Sequence, residues 1–465
     1  MRNRLSCIVL SAVFGGFGTA GSAFELATGL DILNQPESKI EALHRFYVGK
    51  ELGAGWHLGQ SIYSSAAGDA GGAFFWGFEA MKDVSLGRNV TLRFSGFIGG
   101  GGGAAEVEGD GLMWRTNVAF AFPVTAKNEL ELGLSWVSID GVDVDDPALS
   151  VGLHRALAAE GQAPVLRSVA LRATGGAASD SSRNRSGGAQ ADLGLVGAEL
   201  AFAHSPQMDV IFAADGAADG AEGYMQILSG ARYYWGLGAV NLYGEAALGL
   251  GGGGDVDTGS GWFGQAGVGL AVPLSSGLDV QFSLGQQIAD GAFDGTYGQI
   301  RLARVFARDT RAPQAQRWQF SAGLSLQVEN DGLRKASSFG SGNIVMQESS
   351  LDMFLTDQLY LTGNAQTTMS GDVSGYAIGM LGVGYELPLT SDWTVSLEGH
   401  VGAAGGGAVE TNGGPIGSLR AEIDYRVTDR AKLSLGIGKL QALKGDGGMA
   451  PTFAQLGLKI PFMTH

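Results

Sequence analysis

NVTLRFSGFIGGGGGAAEVEGDGLMWRTNVAFAFPV, residues 89–124, decides how the rest of the chain is read. Val90, Leu92, Phe94, Gly96 and Ile98 fall on one side of a two-residue repeat, and Trp114, Thr116, Val118, Phe120 and Phe122 on one side of another. A period of two puts unlike residues on opposite faces of an extended strand and fits no helix. A glycine-rich acidic loop joins the two runs, so the stretch reads as one β-hairpin. The device recurs as VNLYGEAALGLGGGGDVDTGSGWFGQAGVGLAVPL at 240–274 and VSLEGHVGAAGGGAVETNGGPIGSLRAEIDYRVT at 395–428. Copies spaced by about 150 residues mark an internal triplication.

Working outward from the hairpins, three β-repeats cover 24–157, 165–306 and 318–462. Each holds eight short strands on this reading, about 24 in all, and strands of roughly ten residues span a bilayer when tilted. In the third repeat the clear strands are Trp318–Val328, Tyr376–Leu387, Trp393–Val401, Ile416–Val427, Leu433–Leu440 and Pro451–Phe462. Short turns such as Thr125–Asn128, Ser275–Gly277 and Thr428–Arg430 alternate with long glycine-rich acidic loops such as Gly99–Gly111, Gly141–Pro147 and Gly251–Gly261. That alternation describes an antiparallel up-and-down meander, and an even strand number puts both connectors between repeats on the short-turn side.

The two faces of each strand differ. Val240, Leu242, Ala246, Leu248 and Leu250 oppose Asn241, Tyr243 and Glu245; Phe282 and Leu284 oppose Gln281 and Ser283; Leu419, Ile423 and Tyr425 oppose Arg420, Glu422 and Asp424. A secreted sandwich would bury the apolar face, whereas a membrane barrel would turn it to lipid. The polar face is rich in Gly, Ala, Ser, Gln and Asn and poor in the lysines that guard soluble sheets. Aromatics such as Trp114, Trp235, Trp262, Trp393 and Tyr425 gather at strand ends, as in interfacial girdles. Both features favour lipid. Candidates to line a lumen are Arg93, Arg115, Asn117, Glu245, Gln265, Gln281, Glu398, His400, Arg420 and Glu422.

Bulk composition sets limits. Charged residues are 16%, hydrophobic residues 45% and glycines 78 of 465, too apolar for disorder and without the collagen period. A net charge of −16 with no basic stripe excludes a nucleic-acid partner. Arg2 and Arg4, the apolar run from Leu5 to Phe17 and Gly21-Ser22-Ala23 have the layout of a secretory signal peptide over residues 1–23. Cys7 is the only cysteine and lies within it, so the exported chain has neither disulfide nor thiolate metal site. No later apolar run is long enough for a transmembrane helix.

On these residues the chain resembles Gram-negative outer-membrane β-barrel proteins: a cleavable signal, the strand count, the loop asymmetry and a final amphipathic strand through Ala454, Leu456, Leu458, Ile460 and Phe462. Members typically close in phenylalanine; here Pro461 interrupts that strand and Met463-Thr464-His465 follow it. The resemblance implies an outer-membrane location, with lipid or lipopolysaccharide and the barrel assembly machinery as partners.

Two closures fit the repeats: one barrel of about 24 strands, or three tandem barrels of eight. An eight-stranded interior is just wide enough for side chains to fill. Gln265, Gly267, Gly269 and Ala271 are too small to fill one unless neighbouring strands supply bulk, and a single closure hides every edge at once. The single large barrel is therefore the expectation.

No motif signals catalysis or a cofactor. The tracts Gly99–Gly103, Gly251–Gly254 and Gly405–Gly407 precede no helix bearing Lys-Ser or Lys-Thr, so they read as flexible or tightly turning loop tips rather than phosphate cradles. Asp143, Asp145, Asp146, Asp255 and Asp257 have calcium-loop spacing without the complete ligand pattern, and remain weak metal candidates on an acidic rim. Ser396, Glu398 and His400 share a strand face, but neighbours in that series stand nearly 7 Å apart, too far to make the relay of an outer-leaflet lipid hydrolase. The expected function is a passive channel for small solutes or cations; the alternative is a structural or adhesive barrel with acidic glycine-rich loops.

Overall fold

The computed structural model describes residues 24–464 apart from 35–37, 88, 104–105, 127, 157–164, 237–239, 276, 307–315, 337, 339 and 430. Residues 1–23, where a signal segment is expected, and the connectors between repeats, apart from Gln316 and Arg317 at the start of β17, lie outside the described residues. Twenty-four antiparallel strands form three closed barrels of eight. Barrel 1 is β1 (Phe24–Leu33), β2 (Ala42–Gly53), β3 (Trp56–Ala67), β4 (Phe74–Ser85), β5 (Thr91–Gly102), β6 (Leu112–Pro123), β7 (Asn128–Ile139) and β8 (Val144–Ala156). Barrel 2 is β9 (Val165–Ala178), β10 (Leu193–Ser205), β11 (Met208–Asp219), β12 (Met225–Gly236), β13 (Asn241–Gly252), β14 (Trp262–Ser275), β15 (Leu278–Ala289) and β16 (Asp294–Val305). Barrel 3 is β17 (Gln316–Gln327), β18 (Ile344–Phe354), β19 (Leu359–Ser370), β20 (Ala377–Pro388), β21 (Trp393–Gly405), β22 (Pro415–Thr428), β23 (Ala431–Ala442) and β24 (Thr452–Thr464).

The eight-strand repeat, the meander and the strand total stand as read from the sequence; the single large closure does not. Each repeat seals itself by pairing its first strand with its last: Glu25↔Ala156 through Leu33↔Ala148, Ser168↔Val305 through Ala178↔Gly295, and Gln316↔Thr464 through Gln327↔Phe453. Small inward residues on β14 do not leave its barrel hollow, because bulk arrives from the next strand. A Cβ on Gly269 would lie 2.3 Å from Tyr243 Cζ, and one on Gly267 2.5 Å from the Tyr297 hydroxyl. The glycines are the sockets into which those tyrosines lie. Tyr360 over Gly384 and Tyr47 over Gly59 repeat the arrangement in barrels 3 and 1. Small and large inward residues thus alternate around each wall to fill a narrow interior.

The outward faces are apolar. Leu134, Leu284 and Leu419 are 67%, 71% and 72% exposed, and Val118, Phe120, Ile300, Leu302, Val383 and Leu435 are exposed with them. Apolar surface wrapped around closed walls costs free energy in water. No helix among the described residues is long and apolar enough to cross a membrane, which says nothing of strands.

Candidate functional site: filled barrels joined by glycine seams

The interior of each barrel is built from inward positions of neighbouring strands, and in all three the middle is an ion-pair network. In barrel 1, Arg45 donates to Glu79 at 3.0 Å, Arg115 donates to both oxygens of Asp31 at 2.5 and 2.9 Å, and Arg93 grips Asp83 at 2.7 and 2.6 Å while also meeting Glu131. In barrel 2, Glu199 and Glu245 sit between arginines: Arg232 reaches them at 2.8 and 2.9 Å, Arg301 at 3.0 and 2.7 Å. In barrel 3, Arg420 donates to Glu398 at 2.9 Å and to Gln455 at 2.8 Å, pairs with Glu422 at 3.1 Å and meets Glu348; Lys459 pairs with Glu422 and Asp424 at 2.5 and 3.1 Å. Arg93, Arg115, Arg232 and Arg301 are wholly buried. Charges this deep persist only when partnered on most sides, so the networks fix the packing of the interior more than they add stability.

Toward the long-loop end each network gives way to an apolar cap. Leu43, Tyr63, Phe75, Phe97, Met113 and Ile139 close barrel 1, Leu193, Leu195, Tyr224 and Phe293 barrel 2, and Ile344, Met346, Tyr376, Ile416 and Phe453 barrel 3. One valine from each glycine-rich loop turns in to complete the cap: Val107, Val256 and Val409, all buried. The loops fold over the mouths. Two of them share their geometry, with φ of 89°, 58° and 62° at Gly253, Gly254 and Asp255 against 90°, 58° and 56° at Gly406, Gly407 and Ala408.

The polyglycine tracts therefore have a second task that their composition hid. They are not loose tips; their strand-end residues are where barrel meets barrel. A Cβ on Gly252 would stand 2.5 Å from Gly72 Cα, one on Gly405 2.5 Å from Gly223 Cα, and one on Gly102 2.8 Å from the Gly375 nitrogen. These pairs join barrel 2 to 1, barrel 3 to 2 and barrel 1 to 3. Gly72, Gly223 and Gly375 share positive φ values of 85°, 86° and 79°, so the same turn is used at each joint. Only glycine lets two backbones come this close.

Hydrogen bonds and ion pairs pin the joints. Gly375 N donates to Gly101 O at 2.8 Å and Ser374 N to Gly109 O at 2.9 Å, while Gly371 N and Asp372 N donate to the Asp110 carboxylate at 2.8 and 2.9 Å. Between barrels 3 and 2, Thr411 Oγ1 donates to Glu222 at 2.6 Å and Lys444 meets Asp219 at 2.8 Å. Between barrels 2 and 1, Arg185 donates to Gly71 O at 3.1 Å, and the His44 ring stands edge-on to Trp262 at 5.6 Å. Each joint sets one kind of surface on the other kind, head to tail, and three such joints close a ring. The chain is a fused trimer of barrels with pseudo-threefold order.

All ten residues offered as lumen lining are buried in barrel interiors: Arg93, Arg115 and Asn117 in barrel 1, Glu245, Gln265 and Gln281 in barrel 2, and Glu398, His400, Arg420 and Glu422 in barrel 3. The interior they face is packed. Ser396 Oγ donates to Glu422 at 3.2 Å, and His400 Nε2 faces Glu398 at 3.3 Å, so serine and histidine engage different carboxylates and form no relay. Asp145 and Asp146 open β8 and Asp143 precedes it in barrel 1, while Asp255 and Asp257 lie in the β13–β14 loop of barrel 2. Asp145 accepts from Trp136 Nε1 at 2.8 Å, Asp255 accepts from the Ser186 hydroxyl at 2.9 Å, and Asp257 from Gly259 N at 3.1 Å. Among the described residues no group of three or more His, Cys, Asp or Glu is placed to hold a metal ion. Sequence reasoning did not single out Arg45, Glu79, Arg232, Glu199, Arg301 or Lys459, although each occupies the inward parity of its strand, the one signal that could have marked it.

No protein-family model matches the chain. No curated protein matches it either. Among solved structures it is similar to the siderophore receptor PirA from Pseudomonas aeruginosa, at 11% identity and a TM-score of 0.30, over 96% of this chain and 81% of that one. It is also similar to the ferric-catecholate import receptor Fiu from E. coli K12, at 10% identity and a TM-score of 0.31, over 96% and 82%. A copper transporter, OprC, aligns at 10% identity and 0.30 over 95% and 81%. Superpositions this loose fix neither cargo nor partner.

Proposed function

We propose that the chain is a Gram-negative outer-membrane protein that lies in the bilayer as a ring of three closed, filled barrels, acting as a structural or surface-contact element and not as a catalyst. Lipid covers the outward leucines, valines and phenylalanines, and the long loops face the cell exterior beside lipopolysaccharide, with the short turns in the periplasm. The barrel assembly machinery would insert it. The observation that carries the reading is the packed interior: Arg–carboxylate networks fill each middle and an apolar cap closes each long-loop mouth. That arrangement favours a plugged barrel over passive passage of solutes, because an aqueous lumen needs many more strands than eight.

Planar-bilayer recording of the purified protein tests this reading. Insertion without steady current at neutral pH is expected. Ohmic conductance in every insertion would restore the channel.

A further inference from the structure

Barrel 1 closes its short-turn end in a way its neighbours do not. Glu25 on β1, His57 on β3, Asp83 on β4, Arg93 on β5, Glu129 on β7 and His154 on β8 form one unbroken circuit around the mouth. His57 Nδ1 lies 2.8 Å from Glu25 Oε2, and its Nε2 lies 3.4 Å from Asp83 Oδ2. His154 Nε2 lies 3.2 Å from the same Glu25 oxygen, and its Nδ1 lies 3.5 Å from Glu129 Oε2. Arg93 completes the loop, donating to Asp83 at 2.6 Å and to Glu129 at 3.1 Å. Both imidazoles are more than nine-tenths buried, and their rings meet edge-on at 6.2 Å.

The chemistry of the circuit turns on the imidazoles. An ionised carboxylate only accepts hydrogen bonds, whereas a neutral imidazole has one donor nitrogen and one acceptor nitrogen. Each ring here faces a carboxylate at both nitrogens. In its neutral form one lone pair would face a carboxylate oxygen; only the imidazolium presents an N–H to both, as a hydrogen bond to Glu25 and as a longer charge contact to Asp83 or Glu129. The surrounding groups add carboxylates and two arginines, Arg93 and Arg45, each engaged with a carboxylate of its own. Glu51 lies opposite His57 in the β2–β3 register, Glu131 shares Arg93, and Tyr47 is buried next to Arg45.

The corresponding ends of the other barrels use cations that do not titrate near neutrality. Arg167 donates to Asp209 at 2.5 Å in barrel 2, and in barrel 3 Arg317 donates to Glu386 while Lys432 stands 3.6 Å from it.

We infer that the Glu25–His57–Asp83–Arg93–Glu129–His154 circuit is a proton-held clasp that keeps the periplasmic mouth of barrel 1 shut, and that loss of the histidine protons loosens this barrel alone. The inference rests on the filled-barrel reading, and the two fail differently: current at neutral pH overturns the filled barrel, a neutral ring overturns the clasp. Histidine-selective ¹⁵N NMR of the detergent-solubilised protein reads the rings directly. Both nitrogens of His57 and His154 should carry hydrogen at about pH 7.5, above the point where an ordinary histidine is half charged. A neutral tautomer at either ring overturns the proposal. Spin labels on the short turns give the second readout. Between about pH 6 and about pH 10 the label at barrel 1 should gain mobility while its counterpart on barrel 2 stays unchanged. Equal response, or none, also overturns it. In the variant pair His57→Lys and His154→Arg the alkaline response should disappear; if the pair does not fold, the wild-type titration decides alone.

Discussion

Gly405→Ala tests the glycine seam most sharply. Gly405 has ordinary backbone angles, so alanine costs nothing locally, yet its Cβ would stand 2.5 Å from both Cα and N of Gly223 across the joint. Non-bonded carbons rest at about 3.5–4.0 Å, so the turn of barrel 2 must retreat by about 1 Å. The neighbour is backbone held by its own hydrogen bonds, Tyr224 N donating to Ala221 O at 2.9 Å, and cannot rotate away as a side chain would. Overpacking of this kind costs about 1–3 kcal/mol, which shifts the balance between docked and parted barrels roughly 5- to 150-fold. Barrel 3 itself should be untouched. Pulsed EPR between labels at Asp180→Cys and Asp446→Cys, in a chain whose sole natural cysteine is Cys7, should show a longer and broader distance distribution between barrels 2 and 3. Gly379→Ala is the control, since its Cβ meets nothing within 4 Å. An unchanged distribution in Gly405→Ala would refute the seam.

Further expectations follow from the interior and the outer wall. Arg420→Met strips Glu398, Glu348 and Glu422 of their shared cation and should destabilise barrel 3 by about 3–5 kcal/mol, read as a lower temperature for its shift in heat-modified gel mobility. Tyr243→Ala empties the socket over Gly269 and should cost about 3–5 kcal/mol by the same assay in barrel 2. Leu284→Arg places a charge on the outward wall of β15 and should cost about 2–4 kcal/mol in a bilayer. On a surface facing water the same change would be nearly neutral.

Strand positions were legible wherever the two faces meet different solvents. β1 spans Phe24–Leu33, as the alternation indicates, and Trp114 to Phe122 and Leu278 to Leu284 keep apolar and polar sides apart. The pattern blurs in β18 and β19. Gln347 and Ser349 point away from the interior of barrel 3 yet are buried, because that side meets barrel 1, where Gln60 donates to Ser349. A face pressed on another protein surface has no need of the apolar code that lipid imposes. Closure was not legible either. Hairpin pairing is identical in one large barrel and three small ones, and only the pairing of β1 with β8, β9 with β16 and β17 with β24 separates them. Those contacts link residues far apart in sequence and carry no local motif. The glycine tracts were visible, but their role depends on a backbone from another barrel, which no spacing within a hairpin reveals. The sequence did place the lumen candidates on the inward face; it underestimated how much arginine and tyrosine the adjoining strands would bring.

On the proposed reading β15 has lipid on one side and packed protein on the other, and nitroxide scanning along Gln281, Phe282, Ser283 and Leu284 in a reconstituted bilayer tests both halves at once. Labels at Phe282 and Leu284 should collide freely with oxygen and hardly at all with a water-soluble nickel chelate, while those at Gln281 and Ser283 should be shielded from both reagents. Nickel access at Gln281 and Ser283 would mean a water-filled barrel, and nickel access at Phe282 and Leu284 would mean that the outer wall never meets a membrane.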